Sequence, residues 1–304
     1  MVQGTWLERH RLKLLGSCLV LLIAGWTVST PGFQWRAQLI SLKARGLRPD
    51  DLWTDLLLRA SPQERLRLKW NVTDPIVTEK MIGDKPCPVL WETPMGDFWG
   101  QEDDIYPLNI VIEEQYVRKI YEKGAVAIHP GDVVFDTGSH LGAFTRFALQ
   151  HGAGLVVAFD PNPVNNVCYK RTFEQEIEDG KVILVEAAVW EAPGTLDFTT
   201  GLHSGAGQVH PAEGSADAQL VTATTIDETV ARLHLDRVDF IKMDIEGSER
   251  HALRGGRESI ARFNPRMAIC IYHRPDDPEV IPREVLAARS TYQMENIAEV
   301  MYFH

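Results

Sequence analysis

The stretch VVFDTGSHLGAFTRFALQHGAGLVVAFDPNP, residues 133–163, decides the fold. An apolar, β-branched run ends in Asp136, and a glycine-containing turn and an apolar-periodic helix over residues 143–150 follow. A second β-branched run, residues 155–159, ends in Asp160. Strand, glycine turn, helix, strand and acid in this order predict the first unit of a nucleotide-binding α/β sheet.

The spacing of the glycines indicates which nucleotide binds. A dinucleotide fingerprint is G-x-G-x-x-G with a pyrophosphate on the helix N-terminus, whereas this turn carries only Gly138 and Gly142, with Asp136 two residues before the first. A carboxylate at that place would repel a pyrophosphate, but it suits a ligand that has an amino group and no phosphate. S-adenosylmethionine is such a ligand. Asp160 stands eighteen residues past Gly142, close to the roughly 20 residues that precede a ribose-binding acid.

The turn and the ends of the second and third strands therefore supply the predicted cofactor site. Its residues are Asp136, Gly138, Ser139, Gly142, Asp160, Pro161, Asn162, Ala187 and Ala188. The glycines would let the backbone approach the ligand, Asp160 would bind the ribose hydroxyls, and Asp136 would lie near the amino-acid tail. Each also has a structural alternative: the glycines pack a tight turn, Asp136 caps that turn, and Asp160 starts an Asp-Pro turn.

Composition limits the function classes. The 304 residues are 44% hydrophobic and 24% charged, as in an ordinary globular protein. The net charge of -11 argues against a nucleic-acid backbone binder, so no nucleic-acid partner is expected. Cys18, Cys87, Cys168 and Cys270 are scattered without metal-ligand spacing, which predicts four reduced thiols and no structural zinc.

The N-terminus contains fifteen residues without a charge, 14–28, preceded by Arg9, Arg11 and Lys13. We interpret this segment as a membrane anchor, although it is shorter than the about 20 residues of a standard span. The catalytic domain would then lie in the cytoplasm, where S-adenosylmethionine is made. A signal peptide and an apolar helix packed on a soluble cytoplasmic protein are the alternatives.

The chain divides into an anchor region (1–30), an extension of helices with a small hairpin (31–105) and a catalytic domain (106–304). In the last, strands and helices alternate. Strands are predicted over 133–135, 155–159, 181–189, 195–199, 218–224, 238–243, 267–272 and 295–303, and helices over 113–123, 143–150, 164–178, 226–233, 249–263 and 282–290. This alternation predicts a mostly parallel sheet with helices on both faces. Ligands bind such sheets at the carboxyl ends of the strands.

Several motifs in order resemble the FkbM family of S-adenosylmethionine-dependent methyltransferases. They are GDVVFDTG (131–138), AFDPNP (158–163), AAV (187–189), GTL (194–196), TTID (224–227), VDFIKMDIEGSE (238–249) and LRGG (253–256). The resemblance implies a class I methyltransferase fold, a Rossmann-like sheet of seven strands whose last strand is antiparallel. It implies O-methylation of a hydroxyl on a sugar, glycan, lipid-linked or polyketide-like acceptor. The chain departs from the family pattern at Ser139-His140, usually Ala-Asn, and at Asp160, usually Glu.

The catalytic candidates are Asp244, Glu246 and His273, at the ends of two later strands. Asp244 and Glu246 could act as a base, hold the acceptor or ligate a hard cation, and Glu246 could instead cap a helix. His273 is a natural base for an alcohol; His140 and His203 are further candidates. No metal is predicted, because two carboxylates do not define a magnesium site.

Two other functions fit the fold. One is a catalytically inactive nucleotide-fold scaffold in a membrane-associated biosynthetic complex, against which the intact glycines and both acids argue. The other is an NAD-dependent oxidoreductase, which the G-x-x-x-G spacing and the preceding acid disfavour.

Overall fold

A computed structural model describes residues 78–82, 86–102, 104–201, 204–212 and 218–304. The predicted membrane anchor, the predicted helices before residue 69 and His203 lie outside these residues. Within the described part of the chain, no helix is both long enough and apolar enough to cross a membrane.

The described residues form fourteen strands, eight α-helices and a π-helix. The strands are β1 (Thr78–Ile82), β2 (Val89–Glu92), β3 (Phe98–Gly100), β4 (Val133–Thr137), β5 (Leu155–Phe159), β6 (Val182–Val185), β7 (Ala188–Val189), β8 (Gly194–Thr199), β9 (Gln208–Pro211), β10 (Gln219–Thr224), β11 (Phe240–Met243), β12 (Arg266–Cys270), β13 (Met294–Ile297) and β14 (Val300–Phe303). The helices are α1 (Ile105–Ile112), the π-helix (Glu113–Arg118), α2 (Ala143–Gln150), α3 (Pro163–Thr172), α4 (Glu174–Glu178), α5 (Ile226–Arg232), α6 (Glu249–Arg254), α7 (Arg257–Phe263) and α8 (Asp277–Ala288).

The central sheet has seven strands in the order β13-β14-β12-β11-β4-β5-β6. The strands β12, β11, β4, β5 and β6 pair in parallel, while β14 is antiparallel to both of its neighbours. The predicted seven-stranded, mostly parallel sheet with an antiparallel last strand is confirmed. Its parallel strands all end at one edge, which is where the fold places ligands.

The core lies on both faces of this sheet. Val134 and Phe135 are successive residues of β4, and they belong to two different clusters of buried side chains. One cluster includes the rings of α2, and the other includes apolar residues of α5, α6, α7 and α8. Because side chains alternate along a strand, a strand covered on both faces is apolar throughout. This explains the unbroken apolar runs that the sequence shows before Asp136 and Asp160.

Two smaller sheets flank the core. The four-stranded one corrects two predictions. The predicted strand over 181–189 is two strands, because the N–H of Ala187 turns back to the carbonyl of Val185. Only β6 lies in the central sheet, and β7 joins a four-stranded sheet of order β7-β10-β8-β9. Between the predicted strands 195–199 and 218–224 the structure has a further strand, β9, which pairs with β8. The small hairpin predicted within the N-terminal extension is confirmed as β2 and β3. With β1 they form a three-stranded sheet of order β1-β2-β3, the hairpin sheet.

Two predicted helices are interrupted, a third is a π-helix, and the predicted final strand is a hairpin of β13 and β14. The helix predicted over 249–263 breaks at Gly255, where a Cβ would lie 2.2 Å from the carbonyl oxygen of Trp190. This close approach to the backbone before β8 requires a glycine at the junction of α6 and α7. The helix predicted over 164–178 breaks at the buried Phe173, and the helix predicted from residue 113 is the π-helix.

Cysteine chemistry also differs from the prediction. Cys87, just before β2, forms a disulfide with Cys168 on α3, across 81 residues of sequence. Cys270 is a free, buried thiol, and Cys18 lies outside the described residues. The pairing arises because the small hairpin sheet packs on α3, a contact that cysteine spacing alone does not encode.

Candidate active site

A cavity of about 550 Å³ opens at the carboxyl ends of β4, β5, β6 and β11. Eight predicted site residues line it: Gly138, Asp160, Pro161, Asn162, Ala187, Ala188, Asp244 and Glu246. They come from four separate segments of the chain, which the sheet brings to one edge.

Asp160 is a buried acid in the wall of this cavity. Its carboxylate accepts hydrogen bonds from the backbone N–H of Asn162 at 2.8 Å and of His140 at 2.9 Å. Burial raises the pKa of Asp160 to about 7, although these two N–H groups act to lower it. Because a carboxylate offers about four lone-pair sites, it keeps capacity to accept further hydrogen bonds from ligand hydroxyls.

The glycine turn is shaped by close backbone contacts. Gly138 has φ +83°, and a Cβ there would lie 1.9 Å from the carbonyl oxygen of Asp244. At Gly142, with φ +91°, a Cβ would lie 2.2 Å from the Phe173 ring. Both glycines therefore let the turn pack on its neighbours. Of these two glycines, only Gly138 lines the cavity. Ser139 and Gly142 do not line it.

Asp136 lies behind the cavity wall rather than in it. Its side chain is fully buried, accepts a hydrogen bond from Thr145 at 2.8 Å and pairs with Lys242 Nζ at 3.2 Å. Lys242 also donates to the carbonyl of Gly138 at 2.7 Å. Burial acts to lower the pKa of Lys242, but the charges of Asp136 and Asp244 raise it. Asp136 thus holds the lysine that fixes the glycine turn, an indirect contribution to the site.

The second acidic group is Asp244, which follows β11 and faces the cavity. Its carboxylate accepts hydrogen bonds from the hydroxyls of Tyr121, at 2.7 Å, and Tyr272, at 3.4 Å. Burial acts to raise the pKa of Asp244, but the nearby charge of His273 holds it below its usual value. Glu246 lines the same wall with φ +56°, and burial raises its pKa to about 7.

His273 lies behind the two acids and is almost completely buried. Its Nε2 is 3.3 Å from Asp244 Oδ1 and 3.8 Å from Glu246 Oε1, and its Nδ1 is 2.9 Å from Glu249 Oε1. Burial acts to lower the pKa of His273, but Glu249 and Glu246 raise it well above its usual value. A histidine held in its protonated form is a poor proton acceptor, which weighs against its predicted role as the base.

A polar cluster lies at another part of the cavity wall. Ser204 Oγ is 2.6 Å from His140 Nε2, and it also hydrogen-bonds the buried Asp104. Its carbonyl accepts from the Asn165 side chain at 3.1 Å. Ser204, His140 and Asn165 all line the cavity. The loop before β9 is therefore fastened to the glycine turn and to α3.

Sequence reasoning did not single out Lys242, Tyr121, Glu249 or Ser204. Lys242 had a readable signal, since it is the one charge within a buried apolar strand. Tyr121 and Ser204 gave none, because they reach the site from segments with no motif of their own. Glu249 was visible only as part of the motif around Asp244.

Comparison with known proteins identifies the class. The sequence profile of the family described as "Methyltransferase FkbM domain" matches residues 136–297, more than half of the chain. The chain belongs to this FkbM methyltransferase family. S-adenosylmethionine, the cofactor predicted from the glycine turn and Asp160, is confirmed as the cofactor of this family.

Individual relatives are more distant. The 31-O-demethyl-FK506 methyltransferase FkbM of Streptomyces tacrolimicus is 28% identical over 171 residues, which are 47% of this chain and 66% of that protein. The FkbM methyltransferase structure from Methylobacillus flagellatus KT has a TM-score of 0.46 and 18% identity, covering 67% of this chain and 56% of that one. The precorrin-6y C5,15-methyltransferase of Geobacter metallireducens GS-15 has a TM-score of 0.34 and 13% identity, covering 64% and 83%. The chain spans less than two thirds of the length of the first two.

Proposed function

We propose that this protein is an S-adenosylmethionine-dependent O-methyltransferase that acts on a small molecule or a glycan carrying a free hydroxyl. When bound, the cofactor supplies a methyl group on a sulfonium, which the acceptor oxygen takes with loss of its hydroxyl proton, leaving a thioether. The proposal is supported by one observation above all. Asp160, which follows β5, and Asp244, which follows β11, line the same cavity.

The residues of this cavity fit the cofactor. Asp160 offers a carboxylate for the ribose hydroxyls, and Ala187, Phe198 and Val209 supply apolar surface for a flat ring. Asn165 also lines the cavity, and its buried Oδ1 has no hydrogen-bond partner. A buried acceptor atom of this kind would suit a donor group of the ligand.

Asp244 and Glu246 are proposed to face the acceptor. They line the cavity in a segment separate from the glycine turn, and Tyr121 and Tyr272 fix the Asp244 carboxylate by hydrogen bonds. Two carboxylates at this place can orient acceptor hydroxyls, and orientation of two reactants is a large part of catalysis. Membership of the FkbM family supports methyl transfer; the choice of oxygen and of acceptor class is the proposal.

Calorimetric titration of the full chain with S-adenosylhomocysteine, S-adenosylmethionine and NAD tests this function. We expect micromolar binding of the first two and none of NAD. Asp160→Asn should weaken binding at least tenfold, while Asp179→Asn, a surface carboxylate, should bind as the wild type does. No binding by a protein that melts cooperatively would exclude the methyltransferase. Binding without transfer to any hydroxyl acceptor would favour the inactive scaffold.

A further inference from the structure

Three carboxylates surround one imidazole at the base of the cavity. Asp244, Glu249 and His273 each present a ligand-type atom, and these three atoms lie within 4.8 Å of one another. Glu246 Oε1 lies 3.8 Å from the same Nε2 of His273 that faces Asp244. The residues of the cluster come from the loop after β11, the start of α6 and the segment after β12. The fold therefore brings them together.

The charges in this cluster do not balance. Asp244, Glu246 and Glu249 carry three potential negative charges, and His273 can offset only one of them. The neighbouring cation Lys242 is already paired with Asp136 and donates to the Gly138 carbonyl. Buried carboxylates that outnumber their cationic partners are costly. A cation of higher charge would remove this cost.

Unsatisfied polar atoms point to the same place. Glu249 is fully buried, and its Oε2 has no hydrogen-bond partner. Both nitrogens of the His273 ring are buried close to carboxylates, yet neither makes a hydrogen bond of acceptable geometry. Native proteins rarely leave buried polar atoms in this state unless an ion or another ligand uses them. These atoms are an observation independent of the acidic charge.

We infer that Asp244, Glu249 and His273 bind a divalent metal ion, with Glu246 beside it at the cavity wall. Carboxylate ligands favour Mg²⁺ and Mn²⁺, and an imidazole ligand suits a transition metal, so Mn²⁺ matches this mixed set. The sequence predicted no metal from Asp244 and Glu246; the structure adds Glu249, from the same motif, and the imidazole of His273, from the segment after β12. Only three protein ligands are required, so other coordination positions would be open to water or substrate.

The position gives the ion a role in catalysis. Asp244 and Glu246 line the cavity, so an ion on Asp244 would be in reach of an acceptor hydroxyl. A bound divalent cation lowers the pKa of an oxygen that ligates it and orients that oxygen. The hydroxyl proton would then pass to solvent, while His273 would ligate the ion as a neutral imidazole. This role rests on the proposed methyl transfer, but binding of the metal does not.

Metal binding can be measured without turnover. Chelator-treated full-length protein is titrated with Mn²⁺ and followed by electron paramagnetic resonance. One site of micromolar affinity is expected, with ¹⁴N coupling from an imidazole in the spin-echo spectrum. Asp244→Asn and Glu249→Gln should weaken the site at least tenfold, and His273→Gln should remove the nitrogen coupling. Glu258→Gln, an exposed acid, serves as the control and should bind as the wild type does.

Fold and function are checked separately in each variant by thermal melting and by titration with S-adenosylhomocysteine. Weak binding at several sites, unchanged in all variants, would overturn the metal site, as would absence of Mn²⁺ binding in protein that still binds S-adenosylhomocysteine. Tight Mn²⁺ binding in protein that binds no S-adenosylhomocysteine would support the metal site and refute the proposed methyltransferase. The two failures are therefore distinguishable.

Discussion

Asp136 and Lys242, on the neighbouring strands β4 and β11, form a buried ion pair with 3.2 Å between Oδ1 and Nζ. The pair lies directly beneath the glycine turn, because Lys242 also donates to the Gly138 carbonyl. A charged pair within a sheet that is otherwise apolar on both faces is costly unless it fixes something. Here it fixes the backbone that forms one wall of the cavity.

Removing one partner of this pair should destabilise the protein. Lys242→Met leaves the Asp136 carboxylate buried without its cation, at a cost of about 3 kcal/mol in the free energy of unfolding. The double variant Asp136→Asn/Lys242→Met removes both charges and should recover part of that loss. Urea unfolding of the wild type, of Asp136→Asn, of Lys242→Met and of the double variant measures the coupling. If the double variant is as unstable as the sum of both single changes, the pair is not coupled.

Gly138 should tolerate no side chain. In Gly138→Ala the methyl group meets the Asp244 carbonyl at 1.9 Å, in a backbone of φ +83°, so both a clash and local strain arise. We expect a loss of at least about 2 kcal/mol in unfolding free energy and of cofactor binding. Gly131→Ala has a similar φ of +85° but nothing within 4 Å. It should cost only about 1 kcal/mol from strain. Equal losses in the two variants would show that the clash is relieved.

Cofactor affinity should depend on pH through Asp160. Burial raises its pKa to about 7, so the carboxyl is ionised above that pH and neutral below it. If the ionised form accepts the ribose hydroxyls, affinity for S-adenosylhomocysteine is constant above pH 7 and falls up to tenfold per pH unit below it. Titration calorimetry between pH 5.5 and 8.5 measures this range.

Two variants identify the titrating group. Asp160→Asn should abolish the pH dependence, because its side chain cannot ionise. Glu246, which lines the same cavity and also has a pKa raised to about 7, provides the control. Glu246→Gln should keep the wild-type profile, and a flat profile there would move the effect from Asp160 to Glu246.

How much the sequence could predict depends on how far apart the interacting residues lie. The glycine turn, Asp160 and the acids after β11 sit within continuous motifs, and local strand and turn patterns were enough to place them. Tyr121 reaches Asp244 across 123 residues, and Ser204 reaches Asp104 across 100. Such contacts leave no periodic pattern in the local sequence, because only tertiary packing creates them.

The same limit explains the predicted elements that differ. Local patterns predicted the apolar runs before and after Glu186. They did not predict the turn at Ala187, after which β7 belongs to a different sheet from β6. The helix predicted through Gly255 has helical periodicity on both sides of the glycine. A Cβ at Gly255 would clash with the carbonyl of Trp190, so a contact far away in sequence requires the glycine that lies between the two helices. The sequence located the carboxyl ends of β5 and β11 correctly, and tertiary packing determined which side chains meet there.

The loop that contains Ser204 should retain the bound cofactor. Ser204→Ala removes hydrogen bonds to His140 and Asp104, of which each contributes about 1 kcal/mol. We expect the dissociation rate of S-adenosylhomocysteine to rise about fivefold, with little change in melting temperature. Stopped-flow displacement measures the rate. Ser204→Thr keeps the hydroxyl and should restore slow dissociation; a rate as fast as that of the alanine variant would argue against the hydrogen bonds as its cause.

The disulfide between Cys87 and Cys168 should stabilise the hairpin sheet against α3. A bond that closes a loop of 81 residues restricts the unfolded chain by about 4 kcal/mol in the loop-entropy estimate. Cys168→Ser should lose a comparable part of the unfolding free energy, and reductant should then have no further effect. Cys270→Ser, which changes a buried free thiol, should remain sensitive to reductant. Urea unfolding with and without reductant compares the three proteins. A wild type indifferent to reductant, with every cysteine reacting with a thiol reagent after unfolding, would mean that the bond does not form.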